Sequence, residues 1–594
     1  MSRDDRAAPI LLVTHPDEGH VFDVYIEEIL LTEGYNTYEK SNSASALTAQ
    51  DLLKHPLVLV SSGAARRMDL SVVEQYASAG GNVIAFRPPR EWGALFGLGQ
   101  VGQTYTIAAD AYVRVNAEHP WMRGFPSPDL QCLGENHVYP NESAETLVYT
   151  AGQLGEPSVF PAVALKRIGA GAGVVFTYDL AESVVLAHQG RPENASTGSN
   201  PDANRDGKYA PDDALEGMRD FRLRHVPQAD RHQDILVRAI VGLTRDRMPL
   251  PRLWHFPKAA PAVFFVNGDG DGMTWDDLEW TLRTADEFGV KYTLYMMTEQ
   301  IEAFGPEAVE SVRRRGHDFG PHPWVSMKPS VGEWRTEVAQ IVSRMREKFG
   351  FQPASVRSHC MIFPGWDDTP RILAANGLRL DTTYAGGYRY VSGYMNGSGL
   401  PVKFMGRDGA IIDCYEQCTM QTEDGTCTPK CLLPVLSEDE AIAVSLELIR
   451  LSAEAYHGVY HPYFHPINLG GRGAVACRRW FREVLRAVHD RGLPSVSGRE
   501  WLAFNDARRA VGVQQVTWEP GEGDLCFDLY APRAVEGLTI LVPPSAGMSP
   551  VDATAAAERV DLVPVPYEGL GWSALQVSLR ADERVTIAVS YGRD

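Results

Sequence analysis

The run Pro261-Ala262-Val263-Phe264-Phe265-Val266-Asn267-Gly268-Asp269-Gly270-Asp271-Gly272 decides the fold of the central part of the chain. Its first six residues are an apolar stretch of strand length, and the glycines that follow end the strand. The carboxylates Asp269 and Asp271 are two residues apart, so they can point to the same side. The glycines let a ligand approach the backbone closely. The run predicts a catalytic or cation site, although a solvated acidic turn or a calcium loop has the same composition.

Strand-like and helix-like segments alternate on both sides of this run. Short apolar strands are expected at residues 262–266 and 291–296. Helical periodicity is expected at residues 275–288, 308–315, 331–349, 438–456 and 478–491. Repeated strand–helix units of this length favour a parallel (β/α) barrel, which we place at residues 249–508. In such a barrel the carboxyl ends of the strands converge on one face, where active sites form.

The part of the chain before the barrel, residues 1–248, predicts a separate α/β domain. Continuous apolar strands separated by helices indicate a parallel sheet covered on both faces. The expected strands are residues 9–14, 56–61, 82–86 and a closing pair within 161–180, and the expected helices are 21–32 and 70–79. This pattern resembles the class I glutamine-amidotransferase-like domain, of flavodoxin-like architecture, that accompanies some glycosidases and deacetylases.

A working amidotransferase needs a nucleophilic cysteine on a tight strand-to-helix turn. The corresponding turn, residues 60–64, contains no cysteine, and Cys132 lies in no such turn. We therefore expect a non-catalytic domain that is structural or that forms a homo-oligomer.

Two further segments differ from the α/β pattern. Residues 189–217 are rich in Gly, Asn, Asp, Pro and Ser, which predicts a mobile linker or a lid. Residues 509–594 have many β-branched residues and turn signals but little helical periodicity. They predict a small C-terminal β-sandwich.

Bulk composition limits the partners of this chain. Its net charge is -20 over 594 residues, so nucleic acid and anionic membrane surfaces are poor partners. No apolar run approaches the roughly 18 residues that span a bilayer. The first residues show no signal-peptide pattern, so a cytoplasmic location is expected, with an extracellular one left open.

Four of the eight cysteines cluster in one polar stretch. They are Cys414, Cys418, Cys427 and Cys431, with the spacing C-x3-C-x8-C-x3-C. This spacing departs from the usual C-x2-C zinc knuckle. Structural zinc, two disulfides and free thiols therefore all stay open.

Histidines follow the acidic pair where later strands are expected to end. His322 ends one such phrase, His359 follows Arg357 in another, and an apolar strand carries His461 and His465. Each histidine alone is more often a core or surface residue than a ligand. In a parallel barrel, however, successive strand ends meet on one face. The ordered set therefore predicts one site.

This order of motifs resembles the polysaccharide deacetylase (NodB-homology) family, carbohydrate esterase family four, over about residues 255–505. The resemblance implies a distorted (β/α) barrel that holds a divalent metal between an Asp and two His. By the same resemblance Asp269 is the catalytic base, and Asp271 and His322 are metal ligands. The family's second ligand histidine falls on Ser326, so His359 is the candidate replacement, with water as the alternative.

The remaining roles also come from the resemblance. Arg357 matches the arginine that pairs with the base and keeps it ionised, and His465 matches the general acid, with His461 as a weaker competitor. One carboxylate with imidazoles suits zinc, cobalt or nickel better than magnesium. The resemblance implies removal of an acetyl group from an amide nitrogen of an N-acetylated carbohydrate.

Two other functions stay open. The same barrel serves amide hydrolysis on non-sugar substrates such as ureides, which the absence of a visible signal peptide favours. The departure at Ser326 would instead suit an inactive carbohydrate-binding protein. Five tryptophans offer stacking platforms for sugar rings, and these are Trp254, Trp275, Trp324, Trp334 and Trp366. Bound metal would separate an enzyme from a binding protein.

Overall fold

The computed structural model describes most of the chain and divides it into two compact units. The described residues are 7–16, 20–99, 105–107, 110–127, 129–156, 158–197, 202–385, 392–394, 397–423, 436–470, 477–520 and 523–593. Unit 1 comprises Met1–Leu186, Arg231–Ala259 and Phe504–Asp594, and unit 2 comprises Ala187–Asp230 and Ala260–Ala503. The two compact units combine segments that are distant in sequence, so they do not correspond one to one with the three expected domains. The boundaries expected at 1–248, 249–508 and 509–594 therefore stay predictions.

The helices agree closely with the periodicity of the sequence. They are α1 (Tyr25–Thr32), α2 (Ala49–Leu52), α3 (Ser62–Ala65), α4 (Leu70–Ser78), α5 (Leu180–Gln189), α6 (Pro211–Ala214), α7 (Gln228–Thr244), α8 (Trp275–Glu287), α9 (Thr298–Ala303), α10 (Pro306–Arg314), α11 (Val331–Phe349), α12 (Asp368–Ala375), α13 (Glu438–Leu451), α14 (Pro466–Gly470), α15 (Arg478–Asp490) and α16 (Gly498–Ala510). No helix within the described residues is both long enough and apolar enough to cross a membrane.

Local chemistry explains where α11 begins and ends. The Ser330 side chain accepts from the Glu333 backbone N–H, and the Glu333 carboxylate accepts from Ser330, which closes a capping box. Gly350 ends the helix in the left-handed conformation with φ +74°. The helix expected at 438–456 is different, because α13 stops at Leu451 and a single π turn, Ser452–Tyr456, follows it.

The N-terminal part of unit 1 is a nine-stranded sheet with helices. Its strands are β1 (Ile10–Val13), β2 (Tyr38–Ser41), β3 (Leu57–Val60), β4 (Asn82–Phe86), β6 (Ala111–Val115), β7 (Asp129–Cys132), β9 (Glu145–Ala151), β10 (Pro161–Ile168) and β11 (Gly171–Phe176), while β5 (Tyr105–Ile107) and β8 (Asn136–Val138) form a separate two-stranded sheet. The order is β2-β1-β3-β4-β11-β10-β9-β6-β7. The strands are parallel from β2 to β11 and antiparallel beyond. The parallel sheet and the closing strand pair are confirmed, while the amidotransferase-like assignment and the oligomer stay predictions.

Unit 2 has short, mostly parallel strands arranged in an open, irregular ring. The strands are β13 (Val263–Phe264), β14 (Val266–Asp269), β15 (Tyr292–Met296), β16 (Asp318–Pro321), β17 (Ser355–Val356), β18 (Leu380–Asp381), β19 (Val402–Met405), β20 (Ile411–Glu416), β21 (Gln421–Thr422), β22 (Val459–Tyr460) and β23 (Pro462–Tyr463), after β12 (Arg252–Leu253) of unit 1. They form the sheets β16-β15-β14-β23-β21, β17-β18-β20-β19 and β13-β22.

Single backbone hydrogen bonds bridge the gaps between these sheets. The Arg357 N–H donates to the Pro321 carbonyl at 3.4 Å, next to β17 and β16. The Phe265 N–H donates to the Tyr460 carbonyl at 3.1 Å, between the β13-β22 pair and the sheet that contains β14 and β23. The expected α/β character is confirmed, and the broken ring brings several strand ends to one face.

The polar segment at residues 189–217 packs within unit 2. The Tyr209 N–H donates to the Met327 carbonyl at 2.9 Å, and Tyr209 accepts from the Phe363 N–H at 2.8 Å. The Gly365 N–H donates to the Ser196 carbonyl at 2.8 Å. The prediction of a mobile linker is therefore wrong for the described residues of this segment, because backbone hydrogen bonds attach it to the strand-connecting loops.

The C-terminal part of unit 1 consists of two antiparallel sheets. Its strands are β24 (Gly512–Glu519), β25 (Asp524–Ala531), β26 (Val535–Val542), β27 (Met548–Ala555), β28 (Glu558–Val560), β29 (Leu562–Pro564), β30 (Ser573–Leu579) and β31 (Glu583–Arg593). The sheet orders are β12-β26-β30-β29 and β24-β25-β31-β27-β28. Phe527 of β25 and Ile540 of β26 belong to the same hydrophobic cluster. The β-rich character is as expected, and the sandwich assignment stays a prediction.

Candidate functional site

The site is built around the end of β14, where the glycines are sterically required. A Cβ on Gly268 would lie 1.9 Å from the Phe464 carbonyl oxygen, so no larger residue fits there. Gly272 has φ +60°, a conformation that other residues rarely adopt. Asp269 is 4% exposed, and the Asp271 side chain is 31% exposed. The turn thus holds one carboxylate deep in the site and a second nearer its opening.

Asp271, His322 and His359 form a compact cluster of potential metal ligands. The His322 Nε2 atom lies 3.3 Å from Asp271 Oδ1, and the His359 Nδ1 atom lies 3.1 Å from Asp271 Oδ2. The two ring nitrogens are 3.1 Å apart. These three residues come from the turn after β14, the position after β16 and the loop after β17.

The chemistry of the donors fits a divalent cation. The His322 Nδ1–H donates to the Arg357 backbone carbonyl at 2.7 Å, which leaves the Nε2 lone pair 3.3 Å from both Asp271 Oδ1 and Asp269 Oδ2. The Asp271 Oδ1 atom is buried and has no hydrogen-bond partner among the described residues. One carboxylate and two imidazoles suit zinc, cobalt or nickel. Residues and tautomer therefore suit a resident metal.

Electrostatics strengthen the pairing within this cluster. Burial raises the pKa of Asp271, but the neighbouring imidazoles of His322 and His359 outweigh it, so the pKa lies well below its usual value. Burial lowers the pKa of His359, yet Asp271 and Cys360 together raise it to about 10. The cluster thus favours a carboxylate opposite a cationic group, the charge pattern that a bound cation would reproduce.

Asp269 is held through one of its two oxygens. Its Oδ2 atom accepts from the Tyr463 hydroxyl at 2.7 Å and lies 3.5 Å from Arg357 Nε. Arg357 is itself anchored on the Thr382 carbonyl at 2.7 Å and the Thr419 hydroxyl at 2.8 Å. The Asp269 Oδ1 atom has no hydrogen-bond partner within the described part of the chain. That oxygen is therefore the one available to a substrate or water.

His465 lies on the other side of Tyr463. Its Nε2 atom is 2.5 Å from the Tyr463 hydroxyl and 3.9 Å from Asp271 Oδ2, while its Nδ1 atom bonds Glu423. Glu423 also accepts from the His465 backbone N–H at 2.7 Å and from Asn468 at 3.0 Å. Burial raises the pKa of Glu423, but the charge and hydrogen bonds of His465 lower it below its usual value. A carboxylate thus orients this imidazole and stabilises its positive charge.

Two proposed site residues lie elsewhere. His461 is fully buried, with Nδ1 at 3.0 Å from the Cys418 carbonyl and Nε2 at 2.6 Å from Asn267, and burial lowers its pKa to about 3. Since His465 follows the end of β23, the two histidines do not share a strand face. Ser326 is exposed and does not line the cavity.

The sequence reasoning missed two residues, Tyr463 and Glu423. Tyr463 had a usable signal, because it lies in the apolar run that immediately precedes His465. Glu423 is 42 positions from His465 in sequence, and no local pattern marks it. Only the fold brings this carboxylate to the imidazole.

The tryptophans expected to stack on sugar rings and the clustered cysteines lie in different environments in the structure. Trp254, Trp334 and Trp366 are buried core residues, which contradicts a role as sugar platforms. Trp324 is half-buried, with its ring centroid 4.7 Å from that of His359. Of the clustered cysteines, Cys414 and Cys418 are buried, while Cys427 and Cys431 lie outside the described residues, so the choice between zinc, disulfides and thiols stays open.

A cavity of about 190 Å³ opens between these groups. Its lining includes Asp269, Asp271, Arg357, His359, Tyr463 and His465. The expected base, general acid and two of the expected ligands thus face one space.

No profile of a known protein family matches the chain, and no curated protein matches it. Among solved structures it is similar to the peptidoglycan deacetylase PdaC from Bacillus subtilis, with 11% identity, a TM-score of 0.28 and coverage of 43% of this chain and 96% of that one. It is also similar to the polysaccharide deacetylase Bc1974 from Bacillus cereus, with 15% identity, a TM-score of 0.25 and coverage of 40% of this chain and 91% of that one. For the family 4 carbohydrate esterase from Streptomyces lividans the identity is 11% and the TM-score 0.25, with coverage of 40% of this chain and 94% of that one. Likeness this low adds no weight to any function.

Proposed function

We propose that this chain is a metal-dependent hydrolase that removes an acetyl group from an amide nitrogen of a carbohydrate. The observation that carries the proposal is the convergence of Asp271, His322 and His359 beside the free Oδ1 of Asp269. His465 completes the arrangement across the cavity. Amide hydrolysis needs a polarised carbonyl, a base for the attacking water and an acid for the leaving nitrogen, and each has a candidate here.

Asp271, His322 and His359 would hold the cation. When bound, a divalent ion supplies Lewis-acid chemistry to the acyl carbonyl and to the attacking water. The His322 Nδ1 hydrogen bond to the Arg357 carbonyl fixes the ring so that Nε2 is free to act as a ligand.

Asp269 would be the general base. Its Oδ1 atom takes the proton as the water oxygen bonds to the acyl carbon. Arg357 and the Tyr463 hydroxyl hold Oδ2, so the carboxylate has one fixed orientation. Oδ1, which has no hydrogen-bond partner among the described residues, is the oxygen assigned to the proton transfer.

His465 would be the general acid. It gives its Nε2 proton to the departing nitrogen as the C–N bond breaks, because an amine leaves poorly without a proton. Glu423 on Nδ1 orients the ring and stabilises its positive charge. The products are acetate and a free amine.

The cavity favours a small acyl group. Its volume of about 190 Å³ is below the roughly 300–1,000 Å³ of pockets that enclose whole small ligands. An acetyl amide fits such a space, while the rest of the substrate stays outside. The sugar itself is proposed from the motif resemblance, and half-buried Trp324 offers an apolar surface beside His359.

Acetate release from N-acetylated oligosaccharides by the metal-loaded chain tests the proposal. Asp269→Asn should abolish release, whereas Asp276→Asn, an exposed carboxylate of α8, should leave it intact. Full activity of Asp269→Asn would remove this residue from the base role. Hydrolysis of small ureides alone would change the substrate class, and absence of both metal and hydrolysis would favour a binding protein.

A further inference from the structure

A second oxygen-rich constellation in unit 2 lies outside the candidate catalytic site. The run is Asp202-Ala203-Asn204-Arg205-Asp206-Gly207-Lys208-Tyr209-Ala210-Pro211-Asp212-Asp213. Oxygen-bearing side chains occupy positions 1, 3, 5 and 12, with glycine at position 6, which is the spacing of twelve-residue calcium loops. Gly207 has φ +92°, as the sharp turn at that position requires.

The loop folds its side chains inward. The Asp202 carboxylate accepts from the Asp206 N–H at 3.0 Å and the Gly207 N–H at 2.7 Å. The Asp213 carboxylate, at the far end, accepts from the Asn204 N–H at 3.3 Å and the Ala210 N–H at 3.0 Å. The first and last acids of the loop therefore close on the same backbone turn.

A buried hydroxyl outside the loop is directed at the same place. Ser196 is 1% exposed, and its Oγ completes no hydrogen bond with any residue that the structure describes. Burial raises the pKa of the Asp213 carboxyl, and the Ser196 hydroxyl is among the groups that lower it, which puts the hydroxyl beside that carboxylate. An unsatisfied buried oxygen next to a buried acid is costly unless another group engages it.

Besides Asp212, which pairs with Arg219 at 2.8 Å, the loop carries three carboxylates. Asp213 is fully buried, the Asp202 side chain is 6% exposed, and Asp206 adds a third carboxylate. Lys328 lies 3.1 Å from Asp202, but its own side chain is 46% exposed. Several oxygen donors in a flexible loop suit Ca²⁺, whereas Mg²⁺ demands near-ideal octahedral geometry. We propose that residues 202–213, with Ser196, form a calcium site.

The same loop supports the segment that carries His359. The Lys208 Nζ donates to the Cys360 carbonyl at 3.1 Å, and the Phe363 N–H donates to the Tyr209 carbonyl at 2.8 Å. Cys360 and the residue after it have φ of +52° and +58°, so this turn needs external support. Calcium would hold the turn and thereby position His359. This last step rests on the proposed function, while the calcium site itself does not.

Calcium titration of the full chain after chelator treatment tests the site. The wild type should bind one Ca²⁺ per chain and unfold at a higher temperature with Ca²⁺. Asp206→Asn, at an exposed position of the loop, should weaken binding by about tenfold or more. Glu216→Gln removes one exposed charge from the same segment and should bind like the wild type. His322→Ala should also bind like the wild type, since it alters only the other site.

Absence of Ca²⁺ binding by the wild type, or unchanged binding by Asp206→Asn, would overturn the calcium site. Titration of Co²⁺, followed by its absorption spectrum, tests the positioning of His359. Removal of Ca²⁺ should weaken Co²⁺ binding several-fold, and equal Co²⁺ affinity with and without Ca²⁺ would overturn the positioning step alone. A chain that binds Ca²⁺ but neither binds Co²⁺ nor releases acetate would refute the proposed function and leave the calcium site standing.

Discussion

The Nδ1–H of His322 donates a 2.7 Å hydrogen bond to the backbone carbonyl of Arg357. The side chain of the same arginine lies 3.5 Å from Asp269. One residue therefore orients a candidate metal ligand through its backbone and the candidate base through its guanidinium. The metal cluster and the base cannot shift independently, because both are attached to the residue that follows β17.

Removal of the imidazole of either His322 or His359 should weaken metal binding. We expect His322→Ala and His359→Ala each to weaken binding of Zn²⁺ or Co²⁺ by at least about 100-fold, because one of three protein donors is lost. Ser326→Ala should bind as the wild type, since Ser326 is exposed and outside the cavity lining. Competition with a chromophoric chelator measures the affinities. A full metal load in His359→Ala would refute its assignment as the replacement ligand.

Loss of the Tyr463 hydroxyl should reduce catalysis without reducing binding. Tyr463→Phe removes the bond to Asp269 Oδ2 and the contact with His465 Nε2. We expect kcat to fall by about 10- to 100-fold, with metal content and KM little changed, because the base and the acid lose a shared support. Steady-state kinetics of acetate release provide the check. Tyr530→Phe, in the C-terminal sheet, is the matched control, and equal kcat in the two variants would contradict the role.

Replacement of Glu423 should act through His465. Glu423→Gln keeps the shape but removes the charge that lies against the ring. We expect kcat to fall by about 10- to 100-fold. The alkaline limb of the rate profile should move to lower pH, because the positive charge on the ring is no longer stabilised. Glu299→Gln, an exposed residue of α9, should leave the profile in place. An unshifted limb in Glu423→Gln would show that the carboxylate is only structural.

Much of the framework could be predicted because it depends on local chemistry. The bounds of α11 follow from Ser330 and Gly350, which satisfy its first N–H groups and end its last turn. The acidic turn after β14 follows from an apolar run that stops at glycines. These features need only a few neighbouring residues, so a single sequence reveals them.

The rest depends on contacts between distant parts of the chain. Glu423 reaches His465 across 42 positions, and no spacing rule predicts that partner. His461 matched the pattern of a site histidine, yet its ring stacks on Phe265 in the core with centroids 4.5 Å apart. The polar run at 189–217 had the composition of a linker, but Tyr209 attaches it to unit 2. Composition shows how polar a segment is, whereas hydrogen bonds to distant residues determine whether the segment is held in one place.

A buried carboxyl near the site should make stability depend on pH. Asp381 is fully buried, its Oδ1 accepts from the Thr383 hydroxyl at 2.6 Å, and its Oδ2 has no partner among the described residues. Burial raises the pKa of Asp381 from 3.8 to about 7, against the opposing hydrogen bonds of Thr383. The folded state thus binds this proton more tightly than the unfolded state. The stabilisation is complete below pH 4 and is lost as the pH rises through 7.

Asp381→Asn keeps the shape and the bond from Thr383 but cannot ionise. We expect the variant to be more stable than the wild type at pH 8, by on the order of 4 kcal/mol, since each pKa unit corresponds to about 1.4 kcal/mol. Near pH 4 the two proteins should unfold alike. Urea unfolding at both pH values measures the difference, with Asp276→Asn as an exposed control. A variant that is less stable at pH 8 would mean that the ionised carboxylate stabilises the fold through Arg357, whose charge favours that form.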